Sequence, residues 1–444
     1  MKNAILVLMY LVWGNYALVC SDNTLLINKG GICLGHSKRL LEREMLFHSN
    51  GDKHLCSDCV DDYALKEYIE SNGNEGFCDY CENEDTNVVS FDDFMEFFLE
   101  GIDSEWDQPG NWMGYDGREG GWQGADVYDG WDLIDALDPF SENDDLITDI
   151  RSALVDREFC EIDPYSLRRN QEDYYNWQQF SDQVKYKTRF VFYRVENPQH
   201  DPYELSQPYE ILDRICDLVS DLTLFSVIPK GEVIKRFRRH NENEYFDSYK
   251  DIGPPSKGNA KFSNRMSPAG IPMFYGFFDH NVPLKYWYKH MTKNKGTFEN
   301  AVTIGFFESV KDLKVMDLTS LPPVPSIFDQ DNRSKRMGII FLRSFLGDFS
   351  KEVKKDGSEH IDYVPTQIFT EYFRHIYRTP DGDPLYGIIY PSSMMDGVVE
   401  CVLFLDSDNC MQDNIPPDNN EIYEILPKEK ILSLLSDKTE RHVF

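Results

Sequence analysis

Four cysteines in the first quarter of the chain have the spacing of a metal site. They form two CxxC pairs with 18 residues between them, Cys56 with Cys59 and Cys78 with Cys81. Two thiolates separated by two residues can face one tetrahedral ion, and a second pair completes four-sulfur coordination. His54 is close enough in the sequence to replace one ligand. We predict a structural zinc ion here, because four sulfur ligands leave no open position for chemistry.

Two other interpretations of these cysteines stay open. If the chain is exported, the four thiols would form two disulfides. In a reducing compartment they could instead be ordinary thiols of a small core. The spacing favours zinc over both.

A short cationic run is the second group of residues that could do chemistry. Residues 235–239 place four positive charges in five positions, and Lys257, Lys261 and Arg265 lie downstream. The arginine fork forms paired hydrogen bonds with phosphate oxygens, so the run could bind an anionic ligand. It could also neutralise the acidic N-terminal part of the chain, and composition alone slightly favours this second interpretation.

Composition excludes several classes of protein. The 444 residues contain 45 Lys and Arg against 77 Asp and Glu, a net charge of −32, with 41% apolar and 14% aromatic residues. That apolar content predicts a folded chain. The acidity argues against a general nucleic-acid binder, which needs clustered cations over a surface. The chain also lacks a Gly-x-Gly-x-x-Gly loop, a P-loop, His-Glu-x-x-His and Gly-x-Ser-x-Gly.

One apolar stretch, residues 4–20 after Lys2, approaches the length of a membrane span. It has the outline of a secretory signal, but valine at position 19 is poorly suited to cleavage. A dispensable segment, with translation effectively beginning at Met45, is the alternative. We favour a cytoplasmic location, with export or membrane anchoring through residues 4–20 as the other possibility.

The elements that must position these groups follow from hydrophobic patterning. An N-cap signature at residues 141–144 precedes apolar residues at helical spacing, which indicates a mainly helical N-terminal domain. Further on, the pattern predicts a helix at 209–222 and strands at 302–307, 338–341 and 398–405. The strands have no regular βαβ rhythm, which favours an α+β fold. We predict a leader at 1–44, an N-terminal domain at 45–195 and a second domain at 205–435.

Three segments of the second half resemble the RES domain family. They are the Ile252-Gly253-Pro254-Pro255 loop, the run Asn264-Arg265-Met266-Ser267-Pro268-Ala269-Gly270-Ile271-Pro272-Met273-Phe274-Tyr275, and Gly387-Ile388-Ile389-Tyr390-Pro391-Ser392-Ser393. The first half is similar to the HEPN/RES N-terminal domain, on its paired cysteines, Asp61-Asp62, Glu119-Gly120-Gly121 and Trp177-x-x-Phe180. The resemblance spans about residues 50–435.

The resemblance implies an ADP-ribosyltransferase-like fold that degrades NAD by breaking the bond between nicotinamide and ribose. RES proteins act as the toxic half of toxin–antitoxin pairs, so the implied partners are NAD and an antitoxin or regulatory protein. By position, Arg236 would hold the pyrophosphate or accepting phosphate, and Arg265 would be the second arginine of the anion clamp. Tyr275 would stack on nicotinamide, and Ser392, or Ser393 in the alternative register, would hydrogen-bond nearby.

The sequence departs from the family at two positions. Tyr286 stands where the family has glutamate, and Ser267 replaces an asparagine. A carboxylate would stabilise positive charge on the ribose, which tyrosine cannot do. Asp279 or Glu299 could substitute. Two further interpretations therefore stay open: a catalytically degenerate protein that binds a nucleotide or a partner, and transfer of ADP-ribose onto a macromolecule. Whether water or phosphate accepts the ribosyl group is also open.

Overall fold

A computed structural model describes residues 47–137, 139, 143–191, 209–278, 300–351, 357–392, 397–413 and 429–443, with the backbone of four short strands between residues 18 and 32. The chain divides into two compact units, one of Met1–Ser166 with Pro325–Ser334, the other of Leu167–Val324 with Lys335–Phe444. The predicted leader lies outside the described residues, apart from those short strands. The predicted boundaries at 195 and 205 lie outside them as well.

The first unit combines helices with short strands. Its described helices are α1 (Tyr63–Asn72), α2 (Phe91–Ile102), α3 (Gly130–Leu137) and α4 (Asp144–Ala153). Its strands are β1 (Leu18–Cys20), β2 (Asn23–Leu25), β3 (Ile27–Asn28), β4 (Gly31–Ile32), β5 (His54–Cys56), β6 (Asn74–Gly76), β7 (Thr86–Ser90), β8 (Trp106–Asp107), β9 (Gly114–Asp116), β10 (Gly121–Gln123), β11 (Tyr128–Asp129) and β12 (Glu158–Glu161).

Helix α2 shows how local sequence produces this unit. The side chain of Ser90 accepts a hydrogen bond from the Asp93 amide and caps the helix N-terminus. Six apolar residues at intervals of three and four then form one fully buried face. Helix α4 begins the same way, because the side chain of Asn143 accepts from the Leu146 amide. This confirms the helix predicted from the cap signature at 141–144.

A segment from the second half of the sequence completes the core of the first unit. Phe328 is buried and stacks on Phe98, with 5.0 Å between ring centroids. Gly101 allows this approach, since a Cβ atom there would lie 2.2 Å from the Phe328 ring. Next to it, the hydroxyl of Tyr63 donates a 2.6 Å hydrogen bond to Asp329. Residues 325–334 therefore belong structurally to the first unit.

The second unit is built on a sheet with ten strands among the described residues. Its described helices are α5 (Arg169–Asp182, followed by a π-helical turn at Gln183–Lys187), α6 (Glu210–Asp221), α7 (Tyr249–Ile252), α8 (Arg336–Ser350), α9 (Glu359–Asp362) and α10 (Val364–His375). Its strands are β13 (Phe225–Ile228), β14 (Val233–His240), β15 (Phe274–Phe277), β16 (Ala301–Ser309), β17 (Leu313–Asp317), β18 (Gly387–Pro391), β19 (Val399–Leu403), β20 (Cys410–Gln412), β21 (Leu432–Leu434) and β22 (Glu440–Val443).

The sheet consists of two halves that are joined by very little strand pairing. The strand order is β13-β17-β18-β19-β15-β14-β16-β21-β20, and β22 pairs with β16. The two halves meet between β15 and β14, whose register contains the single pair Lys235–Phe277. At this crossing, a Cβ atom on Gly276 would lie 2.4 Å from Ile234 and 3.0 Å from the Lys235 carbonyl oxygen. Glycine therefore lets the strands meet, and they diverge on either side.

Three of the four predicted elements in this unit are confirmed, and one is wrong. The helix at 209–222 and the strands at 302–307 and 398–405 correspond to α6, β16 and β19. Residues 338–341 were predicted as a strand but lie inside helix α8. A short apolar run cannot by itself distinguish a strand from a buried helix. Here Leu342, Phe345 and Phe349 continue the run at helical spacing into the core.

The mixture of helices with a mainly antiparallel sheet confirms the predicted α+β class. Across the part of the chain that the structure describes, no helix is long and apolar enough to cross a membrane.

Candidate functional site

A cleft opens where β14 and β15 diverge. Its volume is about 690 Å³. It is lined by residues of the cationic run at 235–239 and of the segment at 264–275, called the signature segment from here on. The described positive residues of the lining are Arg236, Arg238, Arg239 and Lys261, and the aromatic ones are Phe237, Phe262, Tyr275, Phe277 and Tyr390. Within the described chain, no carboxylate lies within 4 Å of Arg236, Arg238 or Lys261. Such a lining suits a ligand that carries both phosphate groups and aromatic rings.

Arg236 holds the backbone of two segments that are distant in the sequence. Its Nε donates to the carbonyl oxygen of Ile252 at 2.9 Å, and its Nη1 donates to that of Tyr275 at 2.7 Å. The guanidinium lies over the ring of Phe274, 5.4 Å from the centroid. Burial lowers the pKa of Arg236 to about 10, and the like charge of Arg238 acts in the same direction. Arg236 therefore stays charged at neutral pH and adds to the positive potential of the cleft.

Tyr275 lies on the opposite face of β15 from Phe274. Its hydroxyl accepts a hydrogen bond from the Met266 amide at 3.3 Å and shares one of 2.9 Å with the Ser267 hydroxyl. Burial raises the pKa of Tyr275 to about 12, so the phenol is neutral near pH 7. Ser267, the residue that replaces the family's asparagine, thus positions the tyrosine through its hydroxyl.

Helix α10 is hydrogen-bonded to residues 263–267, called the signature loop from here on. The side-chain amide of Gln367 donates to the carbonyl oxygens of Asn264 at 2.8 Å and Ser267 at 3.3 Å, and to the hydroxyl of Ser263 at 3.0 Å. Thr366 donates to the carbonyl oxygen of Arg265. The loop that carries Tyr275 into the cleft is therefore fastened to a helix about a hundred residues later in the chain.

Arg265 lies in the same loop and makes a contact with another part of the chain. Its Nη2 donates to the carbonyl oxygen of Lys351, just beyond the end of helix α8, at 3.0 Å. Arg265 is not among the residues that line the cleft. The structure thus brings Arg236 and Tyr275 to the cleft lining. The positive charge of Arg265 is close enough to Tyr275 to oppose the rise in its pKa that burial causes, and the role of Arg265 in an anion clamp stays a prediction.

The hydrogen-bond partner of Ser392 is a residue that the sequence analysis missed. Its hydroxyl donates a 2.6 Å hydrogen bond to Oε1 of Glu400, a half-buried residue of β19 that lines the cleft. Glu400 is the acidic residue among the described lining residues. A lone carboxylate within the apolar strand predicted at 398–405 was the available signal.

Several other predicted residues lie outside the described part of the chain. They are Tyr286, its suggested substitutes Asp279 and Glu299, and Ser393. The structure therefore makes no statement about the position where the family has glutamate.

The four predicted cysteines meet in the first unit. Their Sγ atoms all lie within 4.8 Å of one another, with 3.4 Å from Cys56 to Cys81, 3.6 Å from Cys59 to Cys78 and 3.9 Å from Cys56 to Cys59. A disulfide requires about 2.05 Å, so none of these three pairs is bonded. Zinc–sulfur bonds of about 2.3 Å in a tetrahedron place sulfurs about 3.8 Å apart, close to these distances.

The pKa values of the cluster's thiols differ: burial raises that of Cys56 to about 12, and the hydrogen bond with Cys78 raises that of Cys59 well above its usual range. The hydrogen bond with Cys59 lowers the pKa of Cys78 to about 4, and backbone amides act in the same direction. The side-chain amide of Asn143 points at the sulfur of Cys59, 3.6 Å away. His54, the possible substitute ligand, instead has its Nδ1 3.8 Å from the carboxylate of Asp79. The cluster is therefore a four-cysteine site that can hold a metal ion.

Comparison with known families agrees with this architecture. Residues 71–198 match HEPN/RES N-terminal domain 1, and residues 235–425 match the RES domain. The chain is thus a RES-domain protein with a preceding HEPN/RES N-terminal domain, as the motifs predicted. No curated protein and no solved structure matches the chain. The RES match contains the whole described cleft and is consistent with a toxin-like, NAD-related function.

Proposed function

We propose that the protein degrades NAD by cleaving the bond between nicotinamide and ribose. The observation that carries this proposal is the cleft, which combines cationic and aromatic residues within the RES domain. NAD has both features that such a lining recognises, a pyrophosphate and two aromatic bases.

Cleavage of the bond between nicotinamide and ribose requires little covalent chemistry from the protein. When the C1′–N1 bond breaks, its electron pair goes to the nicotinamide nitrogen, which becomes neutral. A positively charged ribosyl centre remains, and water or phosphate adds to it and releases a proton. Catalysis then depends on fixing the dinucleotide and stabilising the developing charge.

Different residues of the cleft bind different parts of the dinucleotide in this proposal. Arg236, Arg238 and Lys261 supply positive charge for the pyrophosphate. Tyr275 presents its ring on the cleft surface while its hydroxyl is held by the signature loop. Because that hydroxyl is already bonded, we assign Tyr275 a stacking role rather than proton transfer.

We also propose that the cysteine cluster holds a structural zinc ion, with Cys56, Cys59, Cys78 and Cys81 as ligands. When bound, zinc would cross-link two chain segments of the first unit and supply folding free energy. The first unit would then act as a regulator or sensor of the RES domain. An antitoxin-like partner and a cytoplasmic location complete the proposal, since NAD is an intracellular metabolite.

The proposal is tested with the full chain, purified, by following nicotinamide release from NAD with and without phosphate. We expect release, and we expect the Arg236→Ala variant to lose at least about tenfold in kcat/KM. The Arg333→Ala variant is the control, because Arg333 pairs with Glu100 within the first unit and is not among the residues that line the cleft. Phosphate dependence would identify the acceptor.

Tyr286 favours a second function, nucleotide binding without turnover. NAD binding that Arg236→Ala abolishes, with no nicotinamide released, would support that alternative. A radiolabelled adduct on a macromolecule would instead support ADP-ribosyl transfer. Absence of both binding and release would overturn the NAD proposal.

A further inference from the structure

Glu400 is part of the cleft wall. In the sheet it pairs with Phe277 of β15 on one side and with Tyr390 of β18 on the other. Residues that pair across neighbouring strands share a face of the sheet, so these side chains point the same way. Tyr275 pairs with Val402, two residues along from Glu400, and therefore lies on this face too. The carboxylate is thus a neighbour of the tyrosine that the signature segment delivers.

The carboxylate of Glu400 is held in place by a hydrogen bond, and it forms no ion pair with a described residue. The Ser392 hydroxyl donates to Oε1 at 2.6 Å, the short distance typical of a charged acceptor. Ser392 is itself fixed, because its amide donates to the carbonyl oxygen of Val398 at 2.8 Å. No described Lys, Arg or His lies within 4 Å of the Glu400 carboxylate. Its charge therefore remains available to a ligand in a cleft whose other charges are positive.

A carboxylate in this position matches the electrostatic demand of glycosidic cleavage. As the bond pair leaves with nicotinamide, positive charge grows on the ribose ring, and a fixed negative charge nearby stabilises that state more than the bound substrate. We propose that Glu400 is the catalytic carboxylate of this cleft and that Ser392 is the positioning residue that orients it. The inference rests on the proposed function. It means that tyrosine at position 286 does not leave the site without an acidic group.

The test compares matched variants of the full chain. Glu400→Gln keeps the shape and removes the charge. Glu308→Gln makes the same change on β16, in the same sheet but outside the cleft. We expect Glu400→Gln to lower kcat for nicotinamide release by about 100-fold or more, with the Kd for NAD changed less than about threefold. We expect Glu308→Gln to keep kcat within about twofold of the wild type.

Ser392 gives an independent test of positioning. We expect Ser392→Ala to lower kcat about tenfold without changing Tm or the Kd for NAD, and Ser392→Thr, which keeps the hydroxyl, to restore most of the rate. A purely structural role would move Tm and Kd together with kcat. If Glu400→Gln does not fold, Glu400→Asp replaces it, since withdrawing the carboxylate by one methylene should still cost about tenfold.

The measurements distinguish failure of the Glu400 inference from failure of the proposed function. An active wild type whose Glu400→Gln variant keeps more than about a third of kcat overturns the role of Glu400 and leaves the proposed function standing. A wild type that binds NAD without releasing nicotinamide overturns both the inference and the enzymatic proposal, and supports the binding alternative. A wild type that neither binds nor cleaves NAD overturns every NAD-based proposal.

Discussion

Arg236 donates a 2.7 Å hydrogen bond to the main-chain carbonyl of Tyr275, so two residues 39 positions apart are joined before any ligand arrives. A second bond from the same guanidinium reaches Ile252, the residue before the Gly-Pro-Pro loop. Arg236, whose residue type suggests phosphate binding, therefore also acts as a clamp between two backbone segments. Arg236 thus contributes both to the shape of the cleft and to its positive charge.

This clamp predicts that charge alone cannot replace Arg236. Lysine keeps the positive charge but cannot donate in two directions from a planar fork. We expect Arg236→Lys to lower the free energy of unfolding by about 1–3 kcal/mol, because buried carbonyl oxygens lose charged donors. Urea unfolding measures this. Arg238→Ala, a change at an exposed neighbour on the same strand, should stay within about 0.5 kcal/mol. Wild-type stability of Arg236→Lys would contradict the clamp.

The crossing of the two half-sheets predicts a strong requirement for glycine at one position. A Cβ atom at residue 276 would meet Ile234 at 2.4 Å and backbone at 3.0 Å. We expect Gly276→Ala to destabilise the second unit by about 1–3 kcal/mol through overpacking. Gly258→Ala is the matched control, since nothing lies within 4 Å of its added methyl group. Equal stability of the two variants in urea unfolding would show that the strands cross less closely.

The sulfur cluster predicts metal-dependent stability of the first unit. We expect about one zinc per chain by elemental mass spectrometry. Chelation should lower the Tm of the first unit by about 10 °C or more, because binding energy in such sites is folding energy.

Two cysteine variants separate ligation from burial. Cys59→Ser should lose the metal, whereas Cys160→Ser, a change at a buried cysteine outside the cluster, should keep it. Metal-free protein whose mass is reduced by the hydrogens lost in two disulfides would contradict zinc ligation.

Features set by neighbours in the sequence were predictable from the sequence alone. The spacing of Cys56, Cys59, Cys78 and Cys81 specified a four-sulfur cluster, because two residues between thiols suffice to bring both to one ion. Helices α4 and α6 followed from a cap and a repeated apolar face. The signature segments located the cleft lining, although not the geometry of its residues.

What only the tertiary structure decided depends on strand order and register. Glu400 enters the cleft because β19 pairs with β15 in a register that sets it opposite Phe277, and one residue of slip would turn it to the other face. The hydrogen bond of Arg265 with the Lys351 carbonyl oxygen and the helical conformation of residues 338–341 likewise depend on partners far away in the chain. Hydrophobic and hydrogen-bonding partners far apart in the chain select among local structures that the sequence leaves nearly equal in free energy.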